Sequence, residues 1–447
     1  MKDFEALKTI IPQGEIAGVG EKVQYLVHEM NDNTVRIALR YPGRLSAEVL
    51  AQAVAAVVSR IDVLHASFRS TPLDAYWIYN EDYSEGDFFT AEETAEDPMI
   101  LAEQALVRPI APDAKTQMHC TLVQGESESV LVLNISHLCV DGGDGKYLMN
   151  KLAEAYNRIV RTGNADGLEI KNGSRSAFQV YRELSYKEFL SAIKPSMSEV
   201  KTEFHFPEED PGHPNLVWKS LPAAVVRQAA GYAKERNATV NDLLLTACYR
   251  AYAKLFDSAP GEALSIMSMM DLRRHCRNGE CEGLCNMSGS LPTVLEHGIC
   301  GDFWETLEEI AAQTRSAKED PVAGLGGMPL IHTAAKTTPL WVLLKVANKV
   351  YGSMSIGLTN MGNISCDDLT LDELRPTGGI FGGPLKKKPG MQISAAGFDG
   401  AVTLCCVGEY GEEDAKLIRR MLDLIEEELR DIDVHKDKVT EASAHHE

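Results

Sequence analysis

Strand-like and helix-like patterns alternate along this chain, pause at a proline-rich stretch, and then begin again. Residues 35–41 place apolar side chains at every second position, the period of a half-buried strand, and Ser46 then stands where a helix N-cap belongs. The segment PEEDPGHP at 207–214 contains three prolines, which disfavour regular structure. We therefore predict a mixed α/β fold with an N-terminal lobe at residues 1–185, a linker at 186–215 and a C-terminal lobe at 216–447.

The second half of the chain repeats this mixture of helices and strands. Apolar residues at helical spacing predict helices at 223–236 and 241–256, and a strand is expected at 264–272. Two further strands, at 391–398 and 401–408, are separated by Asp399-Gly400, which is a strong signal for a two-residue hairpin. The glycines of GGIFGGP at 378–384 predict a mobile loop.

Charge and cysteine content limit the kinds of partner and compartment. The 65 acidic residues against 44 basic residues give a net charge of −21, and such a field repels nucleic acid and anionic membranes. The N-terminal stretch lacks the apolar segment of a secretory signal, and no stretch is apolar over the length that spans a bilayer. We therefore expect a cytoplasmic protein whose ten cysteines are reduced thiols.

The segment SHLCVDG at 136–142 carries the most informative chemical pattern. His137 ends an apolar strand, Asp141 follows four residues later, and glycines come next. An imidazole held by such a turn has a pKa near neutrality and can take a proton from a hydroxyl, amine or thiol that attacks a carbonyl. The pattern alone leaves a second interpretation open, in which His137 is hydrogen-bonded in the core and Asp144 is the N-cap of the next helix.

HLCVDGG resembles the His-x-x-x-Asp-Gly signature of the chloramphenicol acetyltransferase-like superfamily. That superfamily includes the condensation domains of nonribosomal peptide synthetases, plant-type alcohol acyltransferases and wax-ester synthases. Further segments are similar in the same order, namely RIDVLHASF at 60–68, TVNDLLLTACYRAYAKL at 239–255, DLR at 271–273 and LTNMGN at 358–363. The resemblance implies two pseudo-symmetric lobes, each a mixed sheet flanked by helices, with an active-site tunnel between them.

The resemblance also implies roles for individual residues. His137 is implied as the general base in direct transfer of an acyl group from a thioester to a hydroxyl or amine, with no acyl-enzyme. Asp141 is implied to be structural and ion-paired with an arginine, for which Arg273 is the best candidate and Arg274 the second. Gly142 is implied to let the loop turn tightly beneath His137.

The position before the catalytic histidine departs from the pattern of condensation domains, which usually carry two adjacent histidines. Ser136 occupies the first place here, and no carrier or adenylation segment is fused to the chain, which favours a free-standing enzyme. The expected donor is an acyl-coenzyme A, or a phosphopantetheine thioester on a separate acyl carrier protein, and the acceptor is a small molecule. No permanently bound cofactor is expected. Asn360, in LTNMGN, is a candidate tunnel residue or oxyanion donor.

Two other groups of residues have alternative interpretations. A basic run is a candidate for contact with the phosphates of coenzyme A or phosphopantetheine, although such runs usually face solvent. It consists of Lys386, Lys387 and Lys388. A cluster of thiols and imidazole could bind a metal, but it lacks a paired Cys-x-x-Cys, so that reduced thiols are the simpler interpretation. It consists of His275, Cys276, Cys281 and Cys285.

Three functional hypotheses follow from these patterns. The first is an acyltransferase that uses His137 as its base. The second is a condensation-like binding or scaffold protein that keeps the fold and has no turnover. The third is a metal-binding protein built on the 275–285 cluster. Cys139, two residues after His137, could act as a nucleophile, but a small buried thiol is the simpler interpretation.

Overall fold

A computed structural model describes residues 14–195, 200–259, 261–299, 301–351 and 356–432. Residues 1–13, which bear on the expected lack of a secretory signal, and residues 196–199 of the predicted linker lie outside this part. The helices are α1 Val19–Tyr25, α2 Ala47–Val58, α3 Glu85–Phe88, α4 Pro98–Leu106, α5 Gly142–Thr162, α6 Tyr186–Ala192, α7 Ala223–Glu235, α8 Val240–Leu255, α9 Phe303–Glu319, α10 Met328–Thr337, α11 Leu340–Tyr351 and α12 Glu412–Arg430. The strands are β1 Glu15–Ile16, β2 Thr34–Tyr41, β3 Ala66–Ser70, β4 Ala75–Tyr79, β5 Phe89–Glu93, β6 Met118–Gln124, β7 Ser129–Ser136, β8 His213–Leu221, β9 Leu264–Asp271, β10 Ser288–Leu295, β11 Gly357–Ile364, β12 Gly378–Gly382, β13 Gln392–Phe398 and β14 Ala401–Tyr410. Among the described residues, no helix combines the length and the apolar character needed to cross a lipid bilayer.

Two large mixed sheets organise the chain. The N-terminal sheet has five strands in the order β12-β2-β7-β6-β5, and the C-terminal sheet has six in the order β10-β9-β11-β13-β14-β8. Parallel neighbours occur in both, β5 with β6 in the N-terminal sheet and β11 with β9 and β13 in the C-terminal sheet. Helices α2 and α5 share a core with the first sheet, and α8 and α12 share one with the second. The predicted mixed α/β fold with helix-flanked sheets is confirmed.

Strand β12 comes late in the chain but lies in the N-terminal sheet. It pairs antiparallel with β2, with Gly379 opposite Leu39. The prediction of a mobile loop at 378–384 was therefore wrong for residues 378–382. Because the partner strand lies far away along the chain, its pairing leaves no local sequence signal. The C-terminal half thus contributes one strand to the N-terminal sheet, and the lobe boundaries at 185, 186–215 and 216 stay predictions.

Strand β2 is buried on both faces, whereas the alternation of residues 35–41 predicted a half-buried strand. Arg36, on the face expected to meet solvent, is 1% exposed. It forms an ion pair with Asp32 and donates from Nε to the carbonyl oxygen of Leu106 at 2.6 Å. On that face, α4 and residues of β14 cover the sheet. The ion pair and hydrogen bonds let a charged side chain occupy a buried position.

Candidate active site

His137 lies immediately after β7, where the N-terminal sheet ends. Its backbone N–H donates to the carbonyl oxygen of Asn33 at 2.7 Å, which extends the β2–β7 ladder by one residue. The chain then turns, and the ring Nδ1 lies 2.6 Å from the carbonyl oxygen of Val140. Because a carbonyl oxygen only accepts, Nδ1 carries the proton and Nε2 of the neutral ring has a free lone pair. Within the described residues, no group forms a hydrogen bond with Nε2.

Asn286 supports the same turn from the C-terminal half. Its Nδ2 donates to Gln24 Oε1 at 3.1 Å and to the carbonyl oxygen of His137 at 3.4 Å. Its Oδ1 accepts the N–H of Ser288 at 3.1 Å, which fixes the orientation of the amide. Nδ2 also lies 3.2 Å from Nδ1 of His137, but two N–H groups cannot hydrogen bond to each other, so this contact is one of packing. Neither Asn286 nor Gln24 was assigned a role from the sequence.

Burial sets the proton affinity of His137. Removal from solvent lowers the pKa of its imidazole, and the positive charge of Lys386 lowers it further. The carbonyl of Val140 and the carboxylate of Asp141 raise the pKa, but the net shift is downward. The ring is therefore neutral near pH 7, with Nε2 able to accept a proton. One fixed ring nitrogen and one open ring nitrogen suit a general base.

Asp141 joins the turn after His137 to the C-terminal half. Its Oδ2 lies 2.8 Å from Arg273 Nη1 and accepts the N–H of Met287 at 2.7 Å. Its Oδ1 accepts the N–H of Asp144 at 3.0 Å, which makes Asp141 the N-cap of α5. The structure thus brings Asp141 and Arg273 together. Arg274, the second candidate, donates instead to a backbone carbonyl of α9 at 2.6 Å.

Asp144 is a second carboxylate on Arg273, a role that the sequence did not indicate. Its Oδ1 lies 2.9 Å from Arg273 Nη2, and its Oδ2 accepts the N–H of Cys285 at 2.8 Å. Burial and the neighbouring Asp141 raise the pKa of Asp144 well above its usual range. The sequence had offered Asp144 as an N-cap, but that position belongs to Asp141. One guanidinium and two buried carboxylates therefore tie α5 to the connection between β9 and β10.

Gly142 is the first residue of α5 and does not have a positive φ, so its backbone conformation does not itself require a glycine. The close approach of β11 explains the glycine instead. A Cβ at position 142 would lie 2.3 Å from Met361 Sδ and 3.4 Å from the ring of Phe381. At the next position, a Cβ on Gly143 would lie 2.9 Å from Arg273 Nη1. The two glycines let Arg273 and β11 pack against the start of the helix.

The three lysines of the basic run have different surroundings. Lys388 pairs with Asp414 and donates to the carbonyl oxygen of Glu208 at 2.8 Å, so its charge is used within the fold. Lys387 is exposed. Lys386 is half-buried and its charge acts on His137, and no carboxylate of the described residues forms an ion pair with it. Burial lowers the pKa of Lys386 to about 8, against a smaller opposing effect of Asp32. Of the run, Lys386 is thus the residue that bears on the site.

Asn360 and Cys139 both form hydrogen bonds with groups other than the His137 ring. The Asn360 amide donates to Asn241 Oδ1 at 3.3 Å and accepts the N–H of Gly362 at 2.8 Å, so both of its polar atoms are engaged away from His137. The Cys139 thiol donates to the carbonyl oxygen of Ser136 at 3.1 Å. Burial raises the pKa of this thiol to about 12, which keeps it protonated. A buried thiol of this kind is a poor nucleophile.

The thiol cluster lies beside the Asp141–Arg273 contact. Cys276 Sγ and Cys281 Sγ are 3.6 Å apart, whereas His275 Nε2 lies 2.8 Å from the carbonyl oxygen of Ala323 and does not join the sulfurs. Across the part of the chain that the structure describes, no three His, Cys, Asp or Glu side chains are arranged to hold a metal ion. The cluster gives no support to the metal-binding hypothesis.

A small cavity of about 50 Å³ lies between α1 and the start of β10. Gln24 and Asn286, which form the hydrogen-bonded support of His137, line it together with Ser288 and His332. The cavity therefore lies where the two halves of the chain meet, next to the turn that carries His137. The longer tunnel implied by the family resemblance stays a prediction.

The family model described as Condensation domain matches residues 23–182, a range that contains His137, Asp141 and Gly142. None of the curated proteins matches the chain.

Solved structures match nearly the whole chain. Trichothecene 15-O-acetyltransferase (TRI3) of Fusarium sporotrichioides is 15% identical, with a TM-score of 0.70 over 93% of this chain and 94% of that one. The first condensation domain of the CDA synthetase is 15% identical, with a TM-score of 0.68 over 94% and 96% of the two chains. The starter condensation domain of rhizomide synthetase, solved in complex with C8-CoA, is 14% identical, with a TM-score of 0.65 over 96% and 97%. Residues 23–182 are therefore similar to condensation domains, and the described chain shares the fold of these condensation-domain and acetyltransferase structures.

Proposed function

We propose that this protein is an acyltransferase that moves an acyl group from a thioester to a hydroxyl or amine acceptor, with His137 as the general base. One observation carries the proposal. Nδ1 of His137 donates to the carbonyl of Val140, so that the unprotonated Nε2 is the nitrogen left for a substrate. The named structural neighbours, an acetyltransferase and condensation domains, share the fold and support a transferase.

The proposed step needs no covalent enzyme intermediate. The acceptor O–H or N–H gives its proton to Nε2 while its lone pair attacks the thioester carbonyl. The tetrahedral intermediate then loses the thiolate as the carbon–sulfur bond breaks, and the imidazolium returns the proton to that sulfur. Base catalysis of this kind contributes about 100- to 10,000-fold to the rate. The Val140 carbonyl and the Asp141 carboxylate both favour the transient imidazolium.

We propose positioning roles for the residues around the base. Asp141 and Arg273 hold the turn through their 2.8 Å ion pair, and Asn286 holds it from the other side. Lys386 supplies a positive charge that acts on His137, and this charge would stabilise the developing oxyanion or a phosphate of the donor. The engaged amide of Asn360 makes it a weaker candidate for the oxyanion role.

The donor is proposed to be an acyl-coenzyme A or an acyl-phosphopantetheine thioester. The neighbour solved in complex with C8-CoA supports this class of donor at the level of the fold. A panel of acyl-coenzyme A and acyl-pantetheine thioesters of graded chain length, incubated with pooled small alcohols and amines, tests the proposal. Mass spectrometry should detect free thiol together with an ester or amide.

Intact-protein mass spectrometry during the first turnover separates direct transfer from a covalent route. We expect product to form with no acylated protein. An acyl adduct that forms and decays at the rate of turnover would contradict direct transfer, and a panel that yields no transfer product would contradict the proposed activity.

A further inference from the structure

The buried thiols of Cys276 and Cys281 lie close together, below the exposed loop that joins the two residues. Their sulfurs are 3.6 Å apart, and residues 277–280 above them are exposed to solvent. Asn278 and Gly279 have φ angles of 58° and 72°, so the chain folds back on itself between the two cysteines. Two thiols at this separation need only a short approach to bond.

Cys285, the third thiol of the cluster, is held by its backbone. Its N–H donates to Asp144 at 2.8 Å and its carbonyl oxygen accepts from Arg273 at 3.2 Å. Its Sγ donates to the carbonyl oxygen of Gly283 at 3.7 Å. Cys276 is therefore taken as the partner of Cys281, because their sulfurs are in contact whereas the Cys285 thiol donates to Gly283.

The environment favours a reactive sulfur at Cys281. A hydrogen bond from the Cys276 thiol stabilises the Cys281 thiolate, and together with the charge of Arg273 it lowers the pKa of Cys281 despite its burial. The pKa values of Cys276 and Cys285 are raised, with the neighbouring Cys281 as the first cause. One of the three sulfurs is therefore the nucleophile, and its neighbours remain thiols.

We propose that Cys276 and Cys281 form an oxidation site, a dithiol that hydrogen peroxide converts to a disulfide. The Cys281 thiolate attacks the peroxide oxygen, which releases water after protonation and leaves a sulfenic acid. The Cys276 thiol attacks that sulfur, forms the S–S bond and expels a second water. Both sulfurs are oxidised, and the hydrogen peroxide is reduced.

The site is connected to the turn that carries His137. The N–H of Cys276 donates to the carbonyl oxygen of Arg273 at 2.8 Å, and Arg273 in turn binds Asp141. Movement of Cys276 toward Cys281 should therefore displace the short turn that positions the Arg273 guanidinium. Oxidation should weaken the Asp141–Arg273 contact and, as a consequence that rests on the proposed function, reduce acyl transfer until a dithiol reductant restores it.

Peptide mapping of the full-length protein tests the proposal independently of any activity. The reduced protein is treated with hydrogen peroxide, trapped with N-ethylmaleimide and digested with trypsin. Cleavage after Arg277 places Cys276 and Cys281 in different peptides, 275–277 and 278–315. We expect these peptides to be joined by a disulfide whose fragment ions contain Cys281.

Three variants sharpen the result. Cys276→Ala and Cys281→Ala should each abolish the joined peptide, and Cys248→Ala, which removes a buried thiol of α8, should leave it unchanged. Hydrogen exchange of residues 137–145 should rise on oxidation of the wild type and stay constant in Cys281→Ala. Recovery of both thiols labelled, a bond between Cys281 and Cys285, or a joined peptide without any change in exchange would overturn the proposal.

Discussion

At the residue scale, the turn after β7 depends on a few buried polar contacts. His137, Asp141 and Arg273 belong to one connected set, in which Asp141 is 3% exposed and the guanidinium lies between two carboxylates. Buried charges of this kind are stable only while they are paired. The strongest effects of substitution are therefore expected at the single cation of the set.

Replacing Arg273 by Met should strongly destabilise the protein because it leaves Asp141 and Asp144 buried without their cation. Removing one partner of a buried ion pair costs about 3–5 kcal/mol. The exposed neighbour Arg274 is the matched control, and its replacement by Met should cost no more than about 1.5 kcal/mol, since only one exposed hydrogen bond is lost. Urea unfolding measures both free energies, and equal values for the two variants would contradict the role given to Arg273.

The charge of Lys386 should appear in the pH dependence of acyl transfer. A general base must be deprotonated, so the rate falls as the pH is lowered through the pKa of His137. Lys386 lowers that pKa, so Lys386→Met should move the acid limb of the profile to higher pH. Lys387→Met, which removes a charge from the same run, should leave the limb in place. A profile that does not move in Lys386→Met would show that the two groups are not coupled.

At the element scale, local signals predicted the structure well and non-local pairing did not. The hairpin at Asp399-Gly400 was predicted because both residues readily adopt positive φ, and their angles are 50° and 85°. The N-cap at Ser46 was predicted for a similarly local reason, and its side chain accepts the N–H of Val49 at 3.3 Å. Helix α10 and strand β12 were not predicted. The place of β12 depends on a distant strand and three of its five residues are glycine, so its own residues give little indication of a strand.

The difference between local signals and long-range contacts also applies to the candidate active site. The family resemblance pointed to the position of His137 and to Arg273 as the partner of Asp141. Asn286, Gln24 and Asp144 were not assigned their contacts, because each acts across a long sequence separation.

The start of α5 provides a prediction at this scale. Gly142→Ala should lower stability by about 1–3 kcal/mol, because its Cβ would overlap Met361. Gly231→Ala, in the exposed middle of α7 with no atom within 4 Å of the new Cβ, should raise stability by up to about 1 kcal/mol. Thermal unfolding compares the two variants, and stabilisation by both would contradict the packing explanation of Gly142.

At the scale of the whole molecule, β12 joins the two halves of the chain. It pairs with β2, and its neighbours along the chain lead into β13 of the C-terminal sheet. Loss of the β12–β2 pairing should therefore destabilise both halves. We expect the protein to unfold in a single cooperative transition.

Gly379 and Gly378 provide a matched test of that expectation. A Cβ at 379 would lie 2.5 Å from the carbonyl oxygen of Ala38, whereas a Cβ at 378 would meet nothing within 4 Å. Gly379→Ala should lower stability by about 1–3 kcal/mol, and Gly378→Ala by much less. Urea unfolding can be followed by fluorescence of single-tryptophan variants that retain Trp77 or Trp304, one in each half. Separate transitions for the two probes would contradict the coupling.

The central claim is that His137 is the general base, and the most direct measurement compares two histidine variants. His137→Ala and His119→Ala each remove a half-buried imidazole near the same sheet, but His119 lies on β6 away from the turn. With a donor and acceptor pair that the wild type uses, His137→Ala should reduce kcat by about 100- to 10,000-fold and keep the wild-type circular dichroism spectrum. His119→Ala should retain most of the activity. A folded His137→Ala protein with wild-type kcat would contradict the claim.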